Sequence, residues 1–315
     1  MSITIKQAGT DKLFAAKTVT MMFFITVGYF LLSWLLIGFK TEQVFLMTIV
    51  NGLYFLSLKT RKFIKGFSIF IIYWVIFDYM KAFPNYSISH VHIKDIYLAE
   101  KSLFGIRVGA NMLTPNEYLR LSQTSTLNVI TGLFYLCWIP VPLGLAAYLF
   151  FDNKRQFFYF SCTFLLVNCL GFIIYYCFPV APPWYVQYSG FSFNPHTPGN
   201  VAGLGRFDTY FHTNIFSSLY AKSSNVFAAM PSLHSAYPVI VLYYGLKNKL
   251  GPINILFAFI MIGIWFSAIY NSHHYMLDVL CGILCAILGI FAFNYTISSN
   301  KWFFNILNKS IKSIS

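Results

Sequence analysis

Long apolar runs separated by short basic stretches set the pattern of this chain. An α-helix rises about 1.5 Å per residue, so about 20 apolar residues cross the ~30 Å hydrocarbon core of a bilayer. Runs of about that length are Thr18–Phe39, Asn128–Phe151, Phe157–Phe178, Ile253–Ile269 and Met276–Ile297. Val44–Leu58, Phe63–Phe77 and Leu233–Leu246 are shorter. The pattern predicts an all-α polytopic membrane protein with about eight transmembrane helices (six to eight). Two longer, more polar segments interrupt the runs, Lys81–Leu127 and Val180–Met230. Segments of that length without regular structure are uncommon unless they serve function. The spacing divides the chain into an N-terminal helical part with its outward loop (1–127), a transmembrane core (128–298) and a cytoplasmic tail (299–315).

Composition agrees. Of the 315 residues, 57% are hydrophobic and 10% charged, against about 25% charged in a soluble domain. Lipid must therefore cover much of the surface. The net charge of +13 would suggest nucleic acid in a soluble protein. Here the bases sit a few at a time in short loops, which makes no stripe for a phosphate backbone and excludes that partner. With the N-terminus inside, the inner segments hold Lys6, Lys12 and Lys17; Lys59, Arg61, Lys62 and Lys65; Lys154 and Arg155; Lys247 and Lys249; and Lys301, Lys309 and Lys312. The two short outer loops hold only Lys40. Short loops rich in Lys and Arg face the cytoplasm, so the two long segments face the other side. Met1 to Lys17 lacks the run-and-cleavage pattern of a signal peptide, and the first run reads as an anchor.

The six cysteines lie inside apolar runs and read as small hydrophobes. The seven histidines all fall on the outer side or at its border. Met230-Pro231-Ser232-Leu233-His234 opens the sixth run, with Ser232 placed to cap the helix and His234 in its first turn. Ser272-His273-His274-Tyr275-Met276-Leu277-Asp278 opens the eighth. His274 and Asp278, four apart, share a helix face, so the carboxylate can hold one ring nitrogen and leave the other to attack or to take a proton. Both helices start on the outer side. Their N-terminal N–H groups and partial positive charge favour a phosphate there. A zinc site built from His234, His273, His274 and Asp278 is the rival, but the spacing matches no familiar zinc pattern.

At these residues the chain resembles the type 2 phosphatidic acid phosphatase superfamily. The family's second motif, Pro-Ser-Gly-His, corresponds to Pro231-Ser232-Leu233-His234, with Leu for Gly. Its third motif is Ser-Arg, five residues, His, three residues, Asp. It corresponds to Ser267, Ala268, His274 and Asp278, with Ala for Arg. The first motif, which ends in Arg-Pro, is absent. The departures resemble the inositol phosphorylceramide synthase branch and its bacterial relatives. That branch also carries stretches like Ala181-Pro182-Pro183-Trp184-Tyr185 and Gly203-Leu204-Gly205-Arg206-Phe207-Asp208.

The resemblance implies a core helical bundle of the superfamily's kind and three catalytic residues. His274 would be the nucleophile that forms a phospho-histidine, Asp278 its orienting partner, and His234 the general acid and then base. Arg206, Ser232 and His273 are candidates to hold phosphate. Arg206 could instead only pair with Asp208, and His273 could be a packed neighbour. No metal or other cofactor is implied. Two motif cations are missing and the third has changed, leaving Arg206 and Lys222 to serve. Fewer cations suit a singly charged phosphodiester better than a monoester. The favoured reaction moves a phospho-headgroup from phosphatidylinositol to a ceramide, releasing diacylglycerol, on the non-cytoplasmic face (the periplasmic side of a bacterial inner membrane, or a fungal Golgi lumen). The alternatives are hydrolysis of phosphatidate or an isoprenyl diphosphate, and a non-enzymatic transporter.

Overall fold

The computed structural model describes residues 13–221 and 225–314. Lys6, Lys12 and Lys222 lie outside the described residues. The chain forms two compact units, Met1–Ala82 with Lys309–Ser315, and Phe83–Asn308.

The first unit contains α1 (Ala16–Ile37), α2 (Thr41–Leu56) and α3 (Leu58–Tyr79). Met22, Val50, Tyr54 and Ile64 form its core. Arg61 is buried with its guanidinium 4.8 Å from the Tyr54 ring centre. It also donates to the Tyr54 carbonyl at 3.2 Å, so the cation is held by a ring face and a backbone oxygen.

The second unit is larger. Its outer segment holds α4 (Lys94–Phe104), a two-stranded antiparallel ribbon of β1 (Ile106–Val108) and β2 (Asn111–Leu113), and α5 (Pro115–Leu121). Then follow α6 (Ser125–Leu136), α7 (Pro140–Asp152) and α8 (Lys154–Cys177). A second segment carries α9 (Pro183–Ser189), α10 (Gly205–Phe211) and α11 (Ile215–Tyr220). The chain closes with α12 (Leu233–Lys247), α13 (Ile253–Tyr270), α14 (Met276–Ser299) and α15 (Lys301–Ile314). The fold is all-α apart from the short ribbon.

All eight apolar runs are helical. Among the described residues six stretches are long and apolar enough to cross a membrane: Ala16–Ile37, Leu58–Ala82, Ser125–Asp152, Lys154–Cys177, Ile253–Tyr270 and Met276–Ser299. α2 and α12 have 16 and 15 residues, so α12 extends only about 22 Å by helical rise. α12 packs against α7, α8, α13 and α14, and most of its residues are buried by these neighbours. It is a core helix wrapped by longer spans. The run Asn128–Phe151 is two helices, since α6 ends at Leu136 and α7 begins at Pro140. Pro140 and Pro142 lack the N–H that a continuous helix requires, and each ring crowds the preceding turn.

Residues 83–127 belong to the second unit. Buried polar side chains tie them there. Asn85 Nδ2 donates to the carbonyls of Tyr175 and Phe227 at 3.0 and 2.8 Å, and Asn116 Nδ2 to those of Ile269 and His274 at 2.8 and 2.9 Å. Each buried bond of this kind contributes about 1 kcal/mol net, and breaking it leaves a desolvated partner that costs more.

Candidate active site

The site forms where α12 and α14 begin side by side. Ser232 caps α12, its Oγ accepting from Ser235 N at 3.3 Å. The Ser232 N–H donates to the Asp278 carbonyl at 2.9 Å, which ties one helix start to the other. Gly282 makes this approach possible. A Cβ on it would lie 2.1 Å from the Ser232 carbonyl oxygen, closer than any side chain tolerates.

The loop before α14 is held from several sides. Ser272 adopts φ 58°. Its carbonyl accepts from Trp184 N at 3.0 Å, and its Oγ accepts from Gln187 Nε2 at 3.1 Å. Gly203 N donates to the Asn271 carbonyl at 3.0 Å, and the N–H groups of His273 and His274 both reach the Ala268 carbonyl. The Pro-rich and Gly-Leu stretches singled out in the sequence thus grip the histidine loop.

These restraints bring two histidines together. Nδ1 of His234 lies 3.2 Å from Nε2 of His274. On its other side, His274 Nδ1 lies 3.0 Å from the Ala229 carbonyl oxygen and 3.6 Å from Asp278 Oδ2. A carbonyl can only accept, so His274 Nδ1 carries the proton and Nε2 presents its lone pair. The His274 tautomer is therefore set first by a backbone carbonyl, with the carboxylate behind it at longer range. Asp278 is fully buried, and its Oδ2 accepts from Tyr275 N at 2.8 Å.

The same lone-pair logic requires a proton on His234 Nδ1, since two bare nitrogens would repel. That nitrogen also lies 3.1 Å from the Tyr135 hydroxyl, to which Tyr220 donates at 3.3 Å. Trp138 stands edge-on to the His234 ring at 4.5 Å between centres. Tyr135 was hidden in the sequence, where an aromatic residue in an apolar run reads as lipid-facing.

The other candidates are distributed around this pair. Arg206 Nε donates to Asn128 Oδ1 at 2.9 Å and Nη2 to Asn271 Oδ1 at 3.4 Å. These bonds use two of its five N–H donors and place it against the histidine loop. It does not pair with Asp208, whose carboxylate accepts from the backbone of Phe216 and Ser217 and from the Ser217 hydroxyl. Ser232 is buried, and its hydroxyl is turned into the cap, also accepting from Ser235 Oγ at 3.0 Å. His273 Nε2 donates to the Val201 carbonyl at 2.9 Å, and the ring stacks on Tyr220 at 4.4 Å. Burial, with His274 second, lowers its pKa to about 3. A neutral ring whose one N–H is already used has none to donate to phosphate, which favours the packed-neighbour reading.

One expectation about electrostatics is corrected. The start of α14 offers no N–H groups to a phosphate. Met276 N and Leu277 N donate to the two carboxylate oxygens of Glu100, at 2.9 and 3.1 Å, and Tyr275 N is taken by Asp278. The positive pole of this helix is occupied by the protein's own anions, which is what a helix N-terminus favours. Among the described residues no group of three or more His, Cys, Asp or Glu side chains is arranged to hold a metal ion. A cleft of about 490 Å³ is lined by residues of the outer segments such as Tyr86, His90, Lys94 and Phe193, and none of the candidate residues lines it.

Comparison with known proteins agrees with this geometry. Residues 107–292 match the PAP2 superfamily. The phosphoinositol dihydroceramide synthase of Bacteroides thetaiotaomicron is 42% identical over 283 residues, 89% of this chain and 93% of that protein. The inositol phosphorylceramide synthase catalytic subunit AUR1 of Saccharomyces cerevisiae is 29% identical over 72% of this chain and 55% of its own length. The inositol phosphorylceramide synthase of Candida albicans is 31% identical over 53% of this chain and 37% of its own. No solved structure matches. The family match covers more than half the sequence and the bacterial likeness nearly all of it: the chain belongs to the PAP2 superfamily and groups within it with the inositol phosphorylceramide synthases.

Proposed function

We propose that this membrane enzyme transfers phosphoinositol from phosphatidylinositol to a ceramide-type lipid through a covalent intermediate on His274. The observation that carries the reading is the geometry around His274, whose Nδ1 lies against the Ala229 carbonyl while Nε2 faces His234. In the first step the Nε2 lone pair forms a bond to phosphorus, the bond to the diacylglycerol oxygen breaks, and His234, protonated on both ring nitrogens, delivers one proton to that oxygen and is left neutral. In the second step a ceramide hydroxyl gives its proton to His234 and attacks phosphorus, and the N–P bond breaks. Asp278, behind the ring, favours the positive charge that His274 gains while bonded to phosphorus. Residues 128–298 act as the catalytic core, with the outer segments contributing from both sides.

Three things support this choice of reaction. The relatives' names specify phosphoinositol and ceramide chemistry. Ala268 stands where the hydrolytic motif has Arg, and the first cationic motif is missing. Glu100 adds a carboxyl group beside the site, which disfavours a doubly charged monoester further. The distribution of Lys and Arg among short loops supports a site on the non-cytoplasmic face.

The test is a purified-protein assay with phosphatidylinositol and ceramide in mixed micelles. The expected result is inositol phosphate on ceramide and free diacylglycerol, with no inorganic phosphate released. Phosphate release from phosphatidate, with no transfer to ceramide, would overturn the transferase reading. Arg206 is bonded to the histidine loop through Asn271. Replacing it by Gln is expected to lower kcat/KM for phosphatidylinositol by roughly 10²–10³-fold, the scale of losing one donor to developing charge. An unchanged kcat/KM would remove Arg206 from the phosphate-holding role.

A further inference from the structure

Glu100 lies far in sequence from both histidine segments, on a short helix that reads as an ordinary amphipathic surface element. Yet it is fully buried, and its two oxygens each accept one N–H from the first two residues of α14. Met276 and Leu277 lie, with Tyr275, between His274 and Asp278. An acid at this depth is rare unless something requires it. Burial raises its pKa to about 7. The two N–H bonds oppose that rise, and the nearby Asp278 charge adds to it.

The same helix touches the other side of the nucleophile. Ile96, one turn before Glu100, packs in a cluster with Val180, Ala229, Met230 and Tyr275. Ala229 supplies the carbonyl that fixes the His274 ring. α4 therefore contacts both ends of the hydrogen bond that sets the tautomer, the acceptor strand through Ile96 and the start of α14 through Glu100. From the neighbouring α5, Asn116 Nδ2 holds the His274 carbonyl itself at 2.9 Å. We infer that Glu100 is a positioning residue of the transfer reaction, clamping the start of α14 so that His274 and Asp278 keep their register against Ala229 and His234. This rests on the assignment of His274 as nucleophile. Glu100 acts through the backbone and does not touch substrate.

The reason to expect a catalytic consequence is geometric. Positioning errors of about 1 Å at a reacting atom cost about 10²-fold in rate. Without the carboxylate, two N–H groups at the start of α14 lose their partners, and the helix start shifts to find new ones. Such a shift moves His274 and Asp278 with little effect on lipid binding.

The experiment compares wild type, Glu100→Ala, Glu100→Gln and His274→Ala in detergent, using phosphatidylinositol and a fluorescent short-chain ceramide. Folded fraction is followed by size-exclusion profile and thermal melting, and rates are normalised to it. The expected result for Glu100→Ala is a fall in kcat of roughly 10²-fold with both KM values within about twofold of wild type. Glu100→Gln, which keeps one acceptor oxygen, recovers part of the loss. If the Ala variant does not survive extraction, the Gln variant carries the test, with a lowered kcat at unchanged KM as the supporting result. A wild-type kcat per folded molecule in the surviving variant overturns the inference. So does a loss that appears only in KM. His274→Ala separates the two readings. If it stays active, the covalent mechanism fails whatever Glu100 does. If it is inactive while the Glu100 variants turn over normally, only the positioning role fails.

Discussion

Replacing His274 by Ala is expected to abolish headgroup transfer, with a loss on the order of 10⁵–10⁶-fold, the scale set by removing the nucleophile of a covalent mechanism. Nε2 of this ring faces His234, and its Nδ1 is committed to the Ala229 carbonyl. Nothing nearby can substitute. His273 sits next in sequence, but its Nε2–H is used by the Val201 carbonyl and its ring is packed against Tyr220. The direct measurement is covalent labelling. With donor lipid labelled at phosphorus and no acceptor present, wild-type protein should retain label that is lost in acid and survives alkali, as a phosphorus–nitrogen bond does. His274→Ala should retain none. Label held by the Ala variant would place the intermediate on another residue.

The second large effect concerns His234. Its Nδ1 faces His274 Nε2, and in the proposed mechanism the doubly protonated ring is the acid for the departing diacylglycerol oxygen. His234→Ala is expected to slow transfer by about 10²–10⁴-fold, the range for general acid–base catalysis. A sharper readout varies the leaving group. A nitrophenyl phosphodiester needs no proton to leave, so the variant should form the labelled enzyme from it at nearly the wild-type rate while remaining slow on the natural diester. Equal losses with both donors would argue against an acid role and leave His234 a packing residue. Tyr135 is expected to follow His234 in milder form, since its hydroxyl shares the same nitrogen.

How much of this was legible in the sequence depends on the range of the interaction. Hydrophobic period and length are local, so each apolar run was readable as a helix. The pairing of His234 with His274 was readable too, because both open helices that start on the same side. The break in the fourth run was written in Pro140 and Pro142. It was easily passed over because hydropathy alone continues through them. Short α12 looked like a weak span because its burial by α7, α8, α13 and α14 is a tertiary matter that hydropathy alone does not show. Glu100 gave no local signal. Its partners are 176 and 177 positions away, and an acid in a helix with lysines reads as a solvated face. Asn116 is the same kind of case, its bonds reaching 153 and 158 positions along the chain. The expectation that failed, an open anion-binding pole at α14, failed for this reason. The physics of the pole was right, and the anion that fills it came from a distant part of the same polypeptide.

The 3.2 Å contact between the two imidazoles has a consequence for the resting enzyme. A lone pair already receiving a neighbour's hydrogen is dulled toward any other electrophile. A phosphorus atom at attack distance of about 3–3.5 Å from one ring, with its departing oxygen hydrogen-bonded to the other, needs more room than this gap provides. In the proposed mechanism the arriving lipid would therefore wedge the rings apart, and that same parting would unmask the attacking nitrogen and turn the liberated hydrogen toward the oxygen that needs it. On that reading an idle molecule keeps its reactive ring muzzled until its cargo releases it.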